Sequence, residues 1–283
     1  MKLKDYFKKA QKQKWAIAQF NFSTLEQLRA IFETAKEEDC PVILGTSEGE
    51  SRFLGLEEIS TLTKIYRKKY GVSAFLNLDH GKDIEWLKAA VDIGYDAIHF
   101  DGSGLSLEEN MEISRNMARY AHKKGALLEG ELGCITGESV QHEGVPEIEE
   151  KNLTRPNDVK IYLKKSNVDS LAVSIGNIHG LYLAKPRLDF ARLDEINKDI
   201  NAFLVLHGGS GIPDEEIKNA VSRGIVKVNF NTEIRLVWKE SLLKAFQDVP
   251  NDIKPYKILS QVQTAIKKKV AEKINLLNCK NKL

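Results

Sequence analysis

The stretch FLVLHGGSGIPDE, residues 203–215, passes from four apolar residues to a histidine and three small residues without a spacer. A short apolar run bounded by turn residues is typical of a strand that is buried on both faces, as in a parallel sheet covered by helices. In barrels of such strands the reactive groups lie at the carboxyl ends. The stretch therefore predicts a buried parallel strand with His207 at its functional end.

Seven further apolar, β-rich runs alternate with amphipathic segments along the rest of the chain. Helical periodicity is clear in TLEQLRAIFETAKEED and KDIEWLKAAVDIG, where apolar residues recur every three to four positions. Strand alternating with helix eight times predicts a (β/α)8 barrel, with a doubly wound sheet as the alternative. The eight runs are 15–20, 41–46, 73–78, 96–100, 125–132, 169–175, 202–206 and 225–230.

The length of 283 residues fits one α/β barrel better than two ordinary domains. We therefore expect the α/β class and a single-domain TIM barrel over residues 1–283. The segment from Pro255 on predicts an additional C-terminal amphipathic helix. The one long connection, 133–168, is polar and turn-rich, and loops of that size in compact domains tend to be functional or mobile.

The composition excludes several classes of protein. The 42 Lys and Arg nearly balance the 40 Asp and Glu, so we expect no nucleic-acid partner. Three widely spaced cysteines without a C-x-x-C pair indicate a reducing compartment. The charged N-terminal segment lacks a signal-peptide core, and no apolar run approaches a membrane span. We expect a soluble, cytoplasmic protein without a membrane partner.

Three predicted strand ends present a histidine followed at once by a glycine: His80 in NLDHG, His179 in GNIHG and His207 in VLHGGSG. A single histidine after a strand is more often a hydrogen-bonded structural residue. Three of them at equivalent barrel positions would converge, and three neutral imidazoles with an open fourth position are typical of a catalytic zinc site. This interpretation depends on the barrel, because the three residues form no linear motif.

Two segments after the last predicted strands are suited to phosphate. The glycines of HGGSG allow backbone N–H groups to approach an anion closely, and NFNT leads into a helical pattern whose N-terminal dipole attracts anions. The loops after strands seven and eight are the usual phosphate site of TIM barrels. A GGSG segment alone is more often a plain turn. Its position beside His207, together with NFNT, favours the phosphate interpretation.

The segments NLDHG, DGS, EGELG, GNIHG, LHGGSGIPDE and VNFNTE resemble, in order and approximate spacing, those of class II fructose-bisphosphate and tagatose-bisphosphate aldolases. The resemblance extends from about Asn21 to the final helix. It implies zinc-dependent, reversible cleavage of a ketose 1,6-bisphosphate, first of all fructose 1,6-bisphosphate, to dihydroxyacetone phosphate and glyceraldehyde 3-phosphate in glycolysis or gluconeogenesis. It also implies a homo-oligomer, either a dimer or a tetramer. Tagatose 1,6-bisphosphate or another ketose phosphate is the alternative substrate.

The resemblance also implies a role for individual residues. Zinc would be bound by His80, His179 and His207, and Asp79 would donate a proton to the aldehyde oxygen. Asp101 and Glu131 match positions that can hold a second or displaced metal ion. The dihydroxyacetone phosphate moiety, with Na⁺ or K⁺ nearby, would be held by Gly180, Gly208, Gly209, Ser210, Asn229, Phe230, Asn231 and Thr232.

Asp79 and His80 present a geometric problem, because consecutive residues of a regular strand point to opposite faces. Both can enter one site only if the strand ends or bulges at this point. An Asp next to a ligand can alternatively be the group that orients a neighbouring histidine.

The chain departs from the family pattern in two places. Family members commonly follow ELG with Gly-Gly-x-Glu-Asp, whose Glu is thought to move the substrate proton, whereas this chain has CITGESVQ with Ser139 at the matching place. Glu138 is the first substitute and Glu143 the second, although a Glu in a polar loop is usually just solvated. His99 stands where the family usually has an apolar residue, and we interpret it as a core or interface histidine without a function.

Three other chemistries remain as alternatives. A buried Lys227 could form a Schiff base in a metal-free mechanism, although a barrel lysine paired with a carboxylate is the more ordinary interpretation. A zinc hydrolase would use the same histidines but has no obvious need for two phosphate segments. A sugar-phosphate-binding barrel without catalytic activity would use the phosphate segments but would need no histidines that bind a metal ion.

Overall fold

Eight strands form the barrel, and each begins and ends within about three residues of a predicted run. The computed structural model describes residues 1–138, 140–144, 148–182, 187–198 and 200–283. The barrel strands are β1 (Ile17–Asn21), β2 (Val42–Ser47), β3 (Ala74–Gly81), β4 (Ala97–Phe100), β5 (Leu127–Leu132), β7 (Ser170–Val173), β9 (Phe203–Leu206) and β10 (Ile225–Phe230). They pair in parallel in the closed order β1-β10-β9-β7-β5-β4-β3-β2. The predicted TIM barrel is therefore confirmed.

A small two-stranded sheet lies outside the barrel. Its strands are β6 (Gln141–His142) and β8 (Leu181–Tyr182), each two residues long, which pair in parallel. The rings of His142 and Tyr182 stack with centroids 4.3 Å apart. The sheet thus ties the long connection after β5 to the segment after β7.

Helices cover the barrel. In the described residues they are α1 (Leu3–Gln13), α2 (Leu25–Glu37), α3 (Glu48–Leu54), α4 (Leu56–Tyr70), α5 (Ile84–Asp92), α6 (Leu107–Lys124), α7 (Pro156–Ser166), α8 (Phe190–Ile196), α9 (Asp214–Ser222), α10 (Thr232–Asp248) and α11 (Pro255–Leu276), with a 3₁₀ turn at Glu150–Asn152. The helix α6 shows how local signals set these bounds: Ser106 and Glu109 form a capping box at its start, and Gly125 ends it in the left-handed conformation. No helix in the part of the chain that the structure describes is long and apolar enough to span a membrane.

The first and last helices pack on different parts of the barrel. The predicted C-terminal helix is α11, which buries Val262, Ile266 and Val270 against the rest of the molecule at every fourth position. The N-terminal α1 was not predicted. Its Tyr6 and Phe7 contact Phe75 and Phe203, which lie at the beginnings of β3 and β9. The amino end of the barrel is therefore covered, and the carboxyl end remains open.

The strand β3 contains the irregularity that Asp79 and His80 require. Its register with β4 shifts between Leu78 and Gly81, and His80 has a φ of 49°, in the left-handed region that a residue with a side chain rarely adopts. The bulge interrupts the alternation of side chains between the two faces. Both Asp79 and His80 therefore face the same cavity.

Candidate active site

A cavity of about 400 Å³ lies at the carboxyl end of the barrel. Its lining comes from the ends of the barrel strands and from the segments that follow them. The lining residues are Ser47, Asp79, His80, Lys82, Asp101, Ile135, Gly137, Glu138, His179, His207, Gly208, Ser210, Asn229, Asn231, Thr232 and Arg235. Polar and charged side chains dominate this list, as expected of a site that binds an ionic substrate.

His80 and His207 approach each other most closely. Nε2 of His80 lies 2.8 Å from Nδ1 of His207. Burial lowers the pKa of His80, but Asp79, Asp101 and Glu131 oppose it more strongly and raise the pKa to about 9. In the metal-free protein the proton on His80 Nε2 therefore points at the lone pair of His207, and a metal ion would compete with that proton for both nitrogens.

His207 is oriented by a buried chain of charges. Its Nε2 donates to Oε1 of Glu129 at 2.7 Å, and Oε2 of Glu129 accepts from Nζ of Lys227 at 2.7 Å. Although burial raises the pKa of Glu129, Lys227 and His207 hold it well below its usual range. The carboxylate fixes the His207 tautomer and leaves Nδ1 facing the cavity, an arrangement that is common behind metal-bound histidines.

His179 lies on the other side of His80. The ring centroids of these two residues are 4.9 Å apart, whereas those of His179 and His207 are 6.4 Å apart. Burial, together with the charges of His80 and His207, lowers the pKa of His179 to about 3. Its imidazole is therefore neutral at pH 7 and has a free lone pair.

Asp79 is held from two sides. Its oxygens accept from the amides of Asn21 and Asn229, each at 3.0 Å. Burial raises its pKa, but His80 and His207 outweigh this effect and hold the pKa well below its usual range. The side chain is thus an oriented carboxylate next to the two facing histidines.

The other two predicted acidic residues lie beside His80. Its Nδ1 is 3.5 Å from Oδ2 of Asp101 and 3.7 Å from Oε2 of Glu131. Asp101 also accepts from the hydroxyl of Ser103 at 2.6 Å. These carboxylates create a negative potential around the histidines, which favours the binding of a cation.

The cluster fits a metal ion in its donor chemistry. Asp79, His80, His99 and His207 each offer a ligand atom, and these atoms lie within 4.8 Å of one another, whereas the predicted ligand His179 is not one of the four. The 2.8 Å between the two facing nitrogens needs only a small widening to reach the roughly 3.3 Å that tetrahedral zinc ligands keep. Among the described residues, Oε2 of Glu131 is buried without a hydrogen-bond partner, an unmet demand that a cation nearby would relieve.

The two phosphate segments meet at the cavity. The helix α10 begins at Thr232, directly after Asn231, so its positive end faces the cavity. Gly208 has a φ of 63°, and a Cβ there would lie 2.2 Å from the carbonyl oxygen of Ile178. Only glycine therefore allows this turn to approach the site. Of the predicted substrate residues, those on the lining are Gly208, Ser210, Asn229, Asn231 and Thr232.

The remaining three predicted substrate residues lie behind the lining. Gly180 packs against the Glu138 carbonyl, and Gly209 packs against Val228. The ring of Phe230 is fully buried and stacks on Phe20 with centroids 5.9 Å apart. These three residues therefore do not line the cavity, but they determine the course of the backbone around it.

Comparisons with known proteins agree with this geometry. The family model described as "Fructose-bisphosphate aldolase class-II" matches residues 1–282. This chain belongs to the class II fructose-bisphosphate aldolase family. Such enzymes are aldehyde-lyases and depend on a metal ion, so the predicted family and enzyme class are confirmed.

Individual relatives of this class II aldolase cover almost its whole length. A "Fructose-bisphosphate aldolase" of Geobacillus stearothermophilus is 35% identical over 277 residues, 96% of this chain and 94% of the relative. A "Sulfofructosephosphate aldolase" of Alkalicoccus urumqiensis is 33% identical over 279 residues, 99% of this chain and 96% of the relative. The crystal structure of the YdjI aldolase from Escherichia coli K12 has a TM-score of 0.83 at 27% identity and covers 99% of this chain and 98% of its own.

The two loop carboxylates of this aldolase are placed differently. Glu138 is exposed and lines the cavity, and its carbonyl accepts from the ring of His142 at 3.0 Å. Glu143 is also exposed, directly after β6, and does not line the cavity. Ser139, at the position of the family Glu, lies outside the described residues.

Several residues at the site were missed from the sequence. His99, interpreted above as a core or interface histidine, is buried, and one of its ring nitrogens lies within 4.8 Å of ligand atoms of Asp79, His80 and His207. Glu129 and Asn21 orient His207 and Asp79. A signal existed for two of them, because alternate strand residues share a face: His99 is two positions before Asp101, and Glu129 is two before Glu131. Ser47, Lys82 and Arg235 on the lining carried no comparable signal.

Proposed function

We propose that this aldolase catalyses the zinc-dependent, reversible cleavage of a ketose 1,6-bisphosphate, with fructose 1,6-bisphosphate as the first candidate. One observation carries the proposal: His80, His179, His207, Asp79 and residues of both phosphate segments line a single cavity. The products are dihydroxyacetone phosphate and glyceraldehyde 3-phosphate. A role in glycolysis or gluconeogenesis, a homo-oligomeric state and a cytoplasmic location remain predictions.

Two anion-binding features support a bisphosphate substrate. The turn at Gly208 and the N-terminus of α10 suit the phosphate of the dihydroxyacetone part. Lys82 and Arg235 add two cationic side chains to the lining. Arg235 is held by Glu50 at 2.7 Å and Lys82 lies 3.5 Å from Asp101, and both remain partly exposed to receive a second anion. We assign these two cations to the phosphate of the aldehyde part.

His80, His179 and His207 would hold the metal ion, with Asp101 and Glu131 beside it. We propose zinc because three imidazoles with an open position are its usual catalytic ligand set. When bound, the ion supplies Lewis-acid stabilisation of the enediolate that forms on carbon-carbon cleavage. A monovalent cation, Na⁺ or K⁺, would accompany the phosphate, as the family resemblance implies.

The residues of the chain move the protons. In cleavage, the carboxylate of Asp79 takes the proton of the C4 hydroxyl, the C3–C4 bond breaks, and the electron pair remains on C3 as the enediolate. Glu138 then delivers a proton to C3, which completes dihydroxyacetone phosphate. In the condensation direction Glu138 removes that proton and Asp79 protonates the aldehyde oxygen. Asn21 and Asn229 keep the Asp79 carboxylate directed at the cavity.

The Schiff-base alternative is disfavoured by the surroundings of Lys227. Its side chain is almost completely buried, and its Nζ lies 2.7 Å from Glu129. An ammonium group paired with a carboxylate is stabilised in its protonated form, whereas a nucleophilic lysine must lose its proton. These contacts support the structural role for Lys227.

The proposal is tested by measuring cleavage of three substrates by purified, zinc-loaded protein. They are fructose 1,6-bisphosphate, its C4 epimer tagatose 1,6-bisphosphate, and sulfofructose 1-phosphate, since one relative bears the name of that reaction. We expect fructose 1,6-bisphosphate to have the highest kcat/KM. A higher value for the epimer or the sulfonate would reassign the substrate, and cleavage of none would refute the proposed reaction.

A further inference from the structure

His99 packs against His80 and His207 but has no role in the proposed reaction. Its side chain, in β4, is completely buried, and its ring centroid lies 4.7 Å from those of both His80 and His207. Buried polar atoms in native structures usually have a hydrogen-bond partner. The contacts of the two ring nitrogens define what His99 does.

Nδ1 of His99 contacts the backbone of a predicted metal ligand. It accepts a hydrogen bond from the N–H of His80 at 3.1 Å. His80 lies at the bulge, where the register between β3 and β4 is interrupted and its φ is 49°. The His99 ring therefore supplies, from β4, the acceptor that a regular strand pair would supply from its backbone.

Nε2 of His99 faces a predicted acidic residue. It lies 3.3 Å from Oε2 of Glu131. An imidazole whose Nδ1 accepts a hydrogen bond is neutral and carries its proton on Nε2. The two atoms are close but do not form a hydrogen bond: among the described residues, both Nε2 of His99 and Oε2 of Glu131 are buried without a hydrogen-bond partner.

We propose that His99 is a positioning residue that holds the bulge, so that the adjacent Asp79 and His80 both face the cavity. The expected effect of the His99 variants on turnover rests on the proposed function. Their expected effect on metal binding does not, because it is measured without a substrate. A metal-ligand role is the competing assignment, because His99 belongs to the group of four potential ligands. That role requires a free lone pair, whereas Nδ1 already accepts from His80 and Nε2 carries the proton.

Two substitutions separate these assignments. His99→Asn retains an oxygen acceptor close to the position of Nδ1 but removes Nε2, whereas His99→Leu removes both. The measurements are Zn²⁺ and Co²⁺ affinity and the visible spectrum of bound Co²⁺, which reports coordination geometry. We expect His99→Asn to keep the affinity and the spectrum near those of the unchanged protein. We expect His99→Leu to weaken binding about 10- to 100-fold, alter the spectrum, and lower kcat more than it changes KM.

The control is His122→Asn, since His122 pairs with Asp169 at 2.7 Å and does not line the cavity. Circular dichroism verifies folding, and His99→Met replaces His99→Leu if the latter does not fold. Equal loss of metal in His99→Asn and His99→Leu would assign His99 as a ligand and overturn the proposal. Normal metal affinity and a normal Co²⁺ spectrum in His99→Leu or His99→Met would also overturn the proposal, because His99 would then have only a packing role. If the unchanged protein cleaves no ketose phosphate, the proposed function fails while these metal measurements still decide the role of His99.

Discussion

The chemistry at the scale of single residues depends on which partner each polar side chain has. Asp79, between the amides of Asn21 and Asn229, is oriented by two hydrogen bonds, one to each oxygen of its carboxylate. His207 is oriented by the single hydrogen bond that its Nε2 donates to Glu129. The sequence indicated Asp79 and His207 because each lies at a predicted strand end. The residues that orient them are separated from them by tens of positions, so only the closed barrel brings them together.

We predict that Asp79→Ala lowers kcat about 10²- to 10⁴-fold, because a positioned proton-transfer group is removed. Zinc content, measured by elemental analysis, should remain near normal, since the three histidines are unchanged. Asp92→Ala, at the far end of α5, is the control and should retain activity. Loss of zinc together with activity in Asp79→Ala would make Asp79 a support of the metal site and not the proton-transfer group.

The elements themselves were predicted where one physical signal dominates. All eight barrel strands were predicted because buried parallel strands are continuous apolar runs. The strands β6 and β8 were missed, because a strand of two residues is too short to show a periodicity. The helix α1 was missed, since its many lysines obscure a buried face formed by Leu3, Tyr6, Phe7 and Ala10. The position of the bulge followed from the chemistry of two adjacent residues, but the contact that holds it lies on another strand.

The segment between β5 and β6 contains Glu138, which we propose as the group for the second proton transfer. We predict that Glu138→Gln slows exchange of the carbon-bound proton of dihydroxyacetone phosphate with deuterium far more than it weakens substrate binding. A carboxylate on the lining can reach that proton, whereas an amide cannot accept it. Glu143→Gln is the matched control and should have little effect. The reverse pattern would reassign the base, and no loss in either variant would exclude a carboxylate of this segment.

The turn after β9 is a second test at this scale. We predict that Gly208→Ala lowers the free energy of unfolding by about 1–3 kcal/mol, because φ is positive and the new Cβ would contact a carbonyl oxygen. Binding of dihydroxyacetone phosphate should weaken as well. Gly104→Ala, where a Cβ meets nothing within 4 Å, is the control. Urea denaturation and calorimetric titration measure the two effects, and unchanged binding in Gly208→Ala would remove this turn from the phosphate site.

The whole molecule directs its chemistry to one end. The helix α1 covers the amino end of the barrel, and the inner strand positions carry buried polar residues that bond to one another towards the open end. The buried Glu129 and Lys227 likewise need the closed barrel to become partners, and their pairing supports a structural role for the lysine. The family and the fold could therefore be predicted from strand-end motifs, but the interior network could not.

The proposed reaction depends on a metal ion held by His80, His179 and His207. The most direct test is the cleavage rate of fructose 1,6-bisphosphate before chelation, after it, and after Zn²⁺ is restored, with metal content measured in parallel. We predict about one zinc per chain, loss of cleavage in the stripped protein and recovery with Zn²⁺ or Co²⁺. Full activity in the stripped protein, or a covalent adduct on Lys227 trapped by borohydride in the presence of substrate, would contradict the account.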